Sequence, residues 1–155
     1  MSTLNRSILS ALAAAAVWIP LSARAAEMPD PKIISITLPD QIHWNTSANA
    51  DTATIQGDPT KPGIYIQLVK WHPGNMSRPH THTTDRYIYV LSGTWWIGWG
   101  PKYDPDSTYP VKAGTYVIDH ANEIHYDGAK QEECVLYIVG EGPLQTIPAG
   151  GARTR

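Results

Sequence analysis

Two histidines separated by one residue, His80 and His82, stand at the head of an alternating aromatic and aliphatic run. In a β-strand, residues i and i+2 project to the same face, so both imidazoles face one side. Two neutral imidazoles at that spacing are good ligands for a divalent transition metal. His125 enters a later alternating stretch after the turn-like Ala121-Asn122-Glu123, and can close a three-nitrogen site with them. His120, on a strand of opposite parity with a turn between, is a further candidate ligand.

The elements that must hold these side chains read as strands. Period-two or β-branched segments cover Ile33 to Leu38, Gly63 to Trp71, Arg86 to Leu91, Thr94 to Trp99, Thr115 to Asp119, Ile124 to Asp127 and Cys134 to Val139. Turn chemistry separates them at Pro39-Asp40, Gly57-Asp58-Pro59, Pro73-Gly74, Ser92-Gly93, Gly100-Pro101 and Asp127-Gly128. Many short strands at close spacing predict an all-β sandwich or barrel. Trp44 to Pro62 and Gly100 to Pro110 read as loops, and the Pro- and Gly-bearing tail from Gly140 as a loose end or a strap across the barrel.

The N-terminus reads as an export signal. Arg6 precedes an apolar run from Ile8 to Ile19, and Ala23-Arg24-Ala25 is an A-x-A cleavage site, so residues 1–25 are expected to be removed. The run is short for a bilayer span, and periplasmic or secreted localisation follows. Without Arg6 and Arg24, the 12 basic residues fall to 10 against 14 acidic ones, a formal charge of −4. That balance argues against nucleic acid or an anionic membrane as partner. Cys134, the only cysteine, excludes an internal disulfide and sits in the apolar run Cys134 to Val139, where a buried, inert thiol is expected.

The histidine stretch resembles the first motif of the cupin superfamily, G-x5-H-x-H followed after three or four residues by E and then x6-G, with Gly74, His80, His82 and Gly93 in register. Gly114 and His125 fall in register with the second motif. The resemblance covers Gly63 to Gly142 and implies an antiparallel double-stranded β-helix, the jelly-roll cupin barrel, with a metal held by motif residues at its mouth. It divides the chain into residues 1–25 as signal, 26–62 as N-terminal strand and loop, 63–142 as cupin core and 143–155 as tail. Several positions depart from the motifs: His120 replaces a proline, Asn122 a glycine and Ala129 an asparagine. Arg86 stands where the family's metal-binding glutamate is usual.

A guanidinium beside a divalent metal and three neutral imidazoles requires a compensating anion. Asp85, Asp119 and Glu123 are candidate protein partners, a small anionic substrate bridging metal and Arg86 is another, and Arg86 turned outward or replacing the metal is a third arrangement. With Arg86 inward, Ile88 and Val90 share its face, whereas Tyr87, Tyr89 and Leu91 take the other. Trp95, Trp96 and Trp99 read as core packing or a stacking wall, and Tyr116 and Tyr126 as phenol donors.

Arg86 and Tyr126 are the expected catalytic residues; His80, His82 and His125 are the expected ligands of one divalent transition metal, Fe, Mn, Zn, Cu or Ni. The resemblance implies a metal-dependent cupin acting on a small anionic molecule, by dioxygenase-type oxidation or by lyase or isomerase chemistry. A non-catalytic ligand- or metal-binding module is the alternative. A homodimer is expected, because pairing solves the exposed edges of an open jelly roll.

Overall fold

The computed structural model describes residues 27–150; the segment read as a signal, residues 1–25, lies outside them. Residues 27–36 contain a turn in which Asp30 O accepts the N–H groups of Ile33 and Ile34 at 2.9 and 3.0 Å. The strand expected over Ile33 to Leu38 does not form, and Ile33, Ile34, Ile36 and Leu38 are exposed. Its alternation is too short and too close to Pro39, which opens a 3-10 turn at Pro39–Gln41.

The unit beginning at Thr37 is all-β. Its strands are β1 (Asn45–Thr46), β2 (Ala50–Gln56), β3 (Gly63–Trp71), β4 (His80–His82), β5 (Arg86–Ser92), β6 (Thr94–Trp99), β7 (Tyr109–Lys112), β8 (Tyr116–Asp119), β9 (His125–Gly128), β10 (Cys134–Gly142) and β11 (Thr146–Pro148). A six-stranded sheet in the order β1-β2-β3-β10-β5-β8 faces a five-stranded sheet, β11-β4-β9-β6-β7, and every pairing is antiparallel. This is the double-stranded β-helix that the motif resemblance implies.

Strand β2 lies inside the stretch read as a loop. Its buried positions are the small Ala50 and Ala53 with Asp51, and a register shift between Thr54 and Gln56 breaks the alternation, so no apolar period survives in the sequence. The tail forms a strap: β11 pairs with β4, setting Thr146 opposite His82 and Pro148 opposite His80.

Ile88 and Val90 point inward beside Leu136, Ile138, Trp95, Val111, Ala129 and Cys134, and these form the core. Tyr87, Tyr89 and Leu91 are exposed, as the alternation predicts. Removing one such core side chain, as in Leu136→Ala, costs about 2–5 kcal/mol by lost burial and a residual cavity. Trp95 is buried with its ring N–H donated to Asp127 Oδ2 at 2.9 Å, whereas Trp99 is 70% exposed and forms no wall. Burial pushes the Cys134 thiol up to about 12, which makes it the inert core residue expected.

Candidate metal centre

Strand β4 carries His80 and His82, and β9 pairs with it at one position, His80 opposite His125. The register thus brings three imidazoles from two strands together, with ring centroids 4.4 to 5.3 Å apart. One ligand nitrogen from each lies within 4.8 Å of the others, and all three residues are buried.

The outer nitrogens are anchored. His80 Nδ1 lies 2.8 Å from the Arg78 carbonyl, and His125 Nδ1 lies 3.1 Å from the Glu123 carbonyl and 3.2 Å from Asp119 Oδ1. Those oxygens only accept here, so Nδ1 carries the hydrogen on both rings and Nε2 presents a lone pair. His125 Nε2 is buried without a partner, and the Nε2 atoms of His80 and His82 stand 3.1 Å apart. Thr146 Oγ1 is 3.2 Å from His82 Nδ1, and a hydroxyl serves that ring as donor or acceptor. Three inward nitrogens, one of them orphaned, fit a transition metal ion.

Electrostatics favour the neutral, ligand-competent rings. Burial, then the Arg86 charge and the neighbouring imidazoles, pulls His82 down to about 2. Burial also lowers His80, against the opposing pull of the Arg78 carbonyl and Asp127.

Arg86 lies inward, 9% exposed, and its charge is met within the chain. Cross-strand register sets Arg86 opposite Asp119, whose Oδ2 accepts Nε at 2.8 Å and Nη2 at 2.6 Å. Asp119 therefore touches Arg86 with one oxygen and His125 with the other. Its Oδ2 also stands 3.9 Å from His82 Nε2, so the carboxylate that the motif lacks at position 86 is supplied beside the histidines from β8. Gly140 lies between Tyr65 and Arg86 in the same cross-sheet row, and a Cβ there would strike the Tyr65 ring. Asp85 accepts the Ala121 N–H at 2.7 Å.

The other expected residues lie elsewhere. His120 is exposed and 3.7 Å from Asp85, outside the three-histidine group. Tyr116 is exposed on β8. Tyr126 follows His125 on β9, and alternation turns it to the opposite face, where its hydroxyl donates to Asp104 O at 2.9 Å and accepts the Asp104 N–H at 3.2 Å. It pins the loop after β6 and does not reach the histidines. Asn122, where the motif has glycine, adopts φ 64°, a left-handed conformation that asparagine tolerates, so the turn between β8 and β9 keeps the glycine geometry.

A cavity of about 430 Å³ opens beside the histidines. Its walls are mainly apolar, with Val69, Trp71, Ile88, Leu136 and Ile138 prominent, and His80, His82, Arg86, Arg78 and Asp127 are among its polar groups. Asp127 and Arg78 are not singled out by the sequence. Asp127 looks like part of a turn dipeptide, yet its carboxylate is buried and takes hydrogen bonds from Ser77 and Trp95. Arg78 lies two residues before His80, outside β4 and ahead of a bend at Pro79, so strand alternation does not point to it.

An antiparallel jelly roll with a histidine cluster at a cavity wall defines the cupin class of barrel. Within that class, residues 36–145 match the model of the ChrR Cupin-like domain, and the chain belongs to that family. No curated protein sequence matches it. Solved structures resemble it at the level of fold. The polyketide cyclase RemF from Streptomyces resistomycificus is 15% identical over 76% of this chain and 87% of its own, with a TM-score of 0.62. An uncharacterised protein with a double-stranded β-helix domain from Klebsiella pneumoniae is 15% identical over 72% and 96%, with a TM-score of 0.56. The DMSP lyase DddQ from Ruegeria pomeroyi is 10% identical over 72% and 64%, with a TM-score of 0.57.

Proposed function

We propose that this chain is an exported, metal-dependent cupin enzyme acting on a small anionic organic molecule in the cavity beside His80 and His82. One observation carries the reading: three buried imidazoles bring one ring nitrogen each within 4.8 Å of the others, and two of them, His80 and His82, line an apolar cavity. Three neutral imidazoles add no charge, and Arg86 with Asp119 sums to zero, so a divalent ion there is left to be balanced by a ligand anion. Zn, Cu, Ni, Fe and Mn all accept this donor set, and loading outside the cytoplasm favours the tighter-binding zinc and copper.

The metal, when bound, supplies a Lewis acid with open coordination positions. The chain's residues do the rest. Val69, Trp71, Leu136 and Ile138 exclude water from the body of the substrate. Asp119 holds Arg86 rigid, and Arg86 keeps guanidinium hydrogens that Asp119 does not occupy for a developing negative charge. Lyase or cyclase chemistry is the reading preferred, supported by a polyketide cyclase and a DMSP lyase on the same fold. The all-nitrogen group of three histidines supports dioxygenase-type oxidation as the second reading.

Incubating metal-loaded protein with small organic acids, with and without dioxygen, tests both. Loss of an acid without dioxygen supports the lyase reading, and loss only with dioxygen the oxidative one. Binding without loss, or equal turnover by His82→Ala, contradicts an enzyme at this site. A homodimer is part of the proposal, supported by the exposed Tyr87, Tyr89, Leu91, Tyr116 and Ile118 on the outer face of β5 and β8.

A further inference from the structure

We propose that Arg78, stacked on Tyr103, is the residue that binds the carboxylate of the substrate. The inference rests on the reading of the cavity as the substrate site and names the group that recognises the acid.

Arg78 lines the cavity two residues before His80, and its carbonyl oxygen accepts the His80 Nδ1 hydrogen at 2.8 Å. Its main chain is thereby fixed to a metal-site ring. The side chain is also placed, because its guanidinium carbon lies 4.2 Å from the centre of the Tyr103 ring. Stacking uses the face of a guanidinium and leaves its in-plane donors free for a carboxylate, which they match in a two-point fork.

Tyr103 is itself held. Its ring lies 5.3 Å from that of Tyr126, whose hydroxyl locks both backbone groups of Asp104, the next residue. Gly98 makes room for this arrangement, since a Cβ there would strike the Tyr126 ring. Tyr126 is therefore a positioning residue, acting on Arg78 through Tyr103.

Of the two arginines lining the cavity, Arg86 is committed to Asp119. Arg78 has no carboxylate within ion-pair distance and no hydrogen bond from its guanidinium among the described residues. Arg78 is exposed at the cavity rim, and it is the contact with a pinned ring that preorganises its guanidinium beside the histidines. Trp71, on the same cavity, carries a buried ring N–H without a partner, a second donor awaiting an acceptor oxygen. The substrate class is a small acid with an apolar body, its carboxylate at Arg78 and a second polar group at the histidines.

Calorimetric titration of zinc-loaded and metal-free protein with small aliphatic, aromatic and keto acids, each beside its neutral amide, tests this. At least one acid is expected to bind, with its amide weaker by about tenfold or more, the scale of a charged hydrogen-bonded contact. Arg78→Gln should erase that difference, Arg78→Lys should restore part of it, and zinc content should stay unchanged in both. Tyr103→Leu, which leaves the charge in place, should weaken acid binding less than Arg78→Gln does. Acid and amide binding alike, discrimination surviving in Arg78→Gln, or no acid binding at all would overturn the assignment. Failure of the metal reading looks different: no zinc uptake, with an Arg78-dependent preference for acids still present.

Discussion

Asp119 joins Arg86 to His125, taking Nε and Nη2 of the arginine on Oδ2 at 2.8 and 2.6 Å and facing His125 Nδ1 with Oδ1 at 3.2 Å. One carboxylate thus neutralises a buried cation and orients a metal ligand. Asp119→Asn should lose both roles. It leaves Arg86 buried and unpaired, which costs about 3–5 kcal/mol of stability, and it weakens metal affinity by roughly 10–100-fold. Replacing both partners, Arg86→Leu with Asp119→Leu, should recover most of the stability in urea unfolding and none of the metal affinity.

The metal-free protein should lose stability as pH falls below about 6.5. His80 and His82 titrate lower in the fold than in the unfolded chain, where 6.5 is the ordinary value. Below that value the unfolded chain binds more protons, so acid favours unfolding, and the loss continues toward the depressed folded values. For His82 this amounts to about 2 kcal/mol at about pH 5. Melting temperature against pH, compared with His82→Leu, checks the slope; a variant as acid-sensitive as wild type would contradict the assignment.

Cys134 should resist thiol reagents in the native state. Its thiol is fully buried and raised to about 12, so little thiolate is available at neutral pH. Labelling should appear only under denaturing conditions, and native labelling at the rate of a free thiol would contradict the packing described.

Tyr126→Phe removes both contacts to Asp104, costing about 1–2 kcal/mol by loss of a buried hydrogen-bonded hydroxyl. Metal content should be unchanged and any acid affinity reduced, because the hydroxyl positions the Tyr103 loop and does not reach the histidines. Complete loss of turnover with acid affinity intact would instead make Tyr126 a chemical participant.

The histidine cluster was legible because a strand's period of two is a local property: His80 and His82 had to share a face. So did Arg86, Ile88 and Val90. The partner of Arg86 was not legible in the same way. Asp85 adjoins Arg86 while Asp119 and Glu123 lie within the second motif, and only the register of β5 against β8 selects Asp119. Tyr126 adjoins His125, so its opposite face was readable from parity alone. Strand β2 was hidden by its bulge and small buried residues, and Ile33 to Leu38 carried an alternation that no neighbouring strand uses.

Metal stoichiometry tests the central claim most directly. Mature protein purified from its native compartment, beside a His80→Ala/His82→Ala variant, is submitted to elemental analysis. The wild type should carry close to one transition metal ion per chain and the variant almost none. Wild type without stoichiometric metal, or a variant that retains it, would contradict a metal centre at His80, His82 and His125.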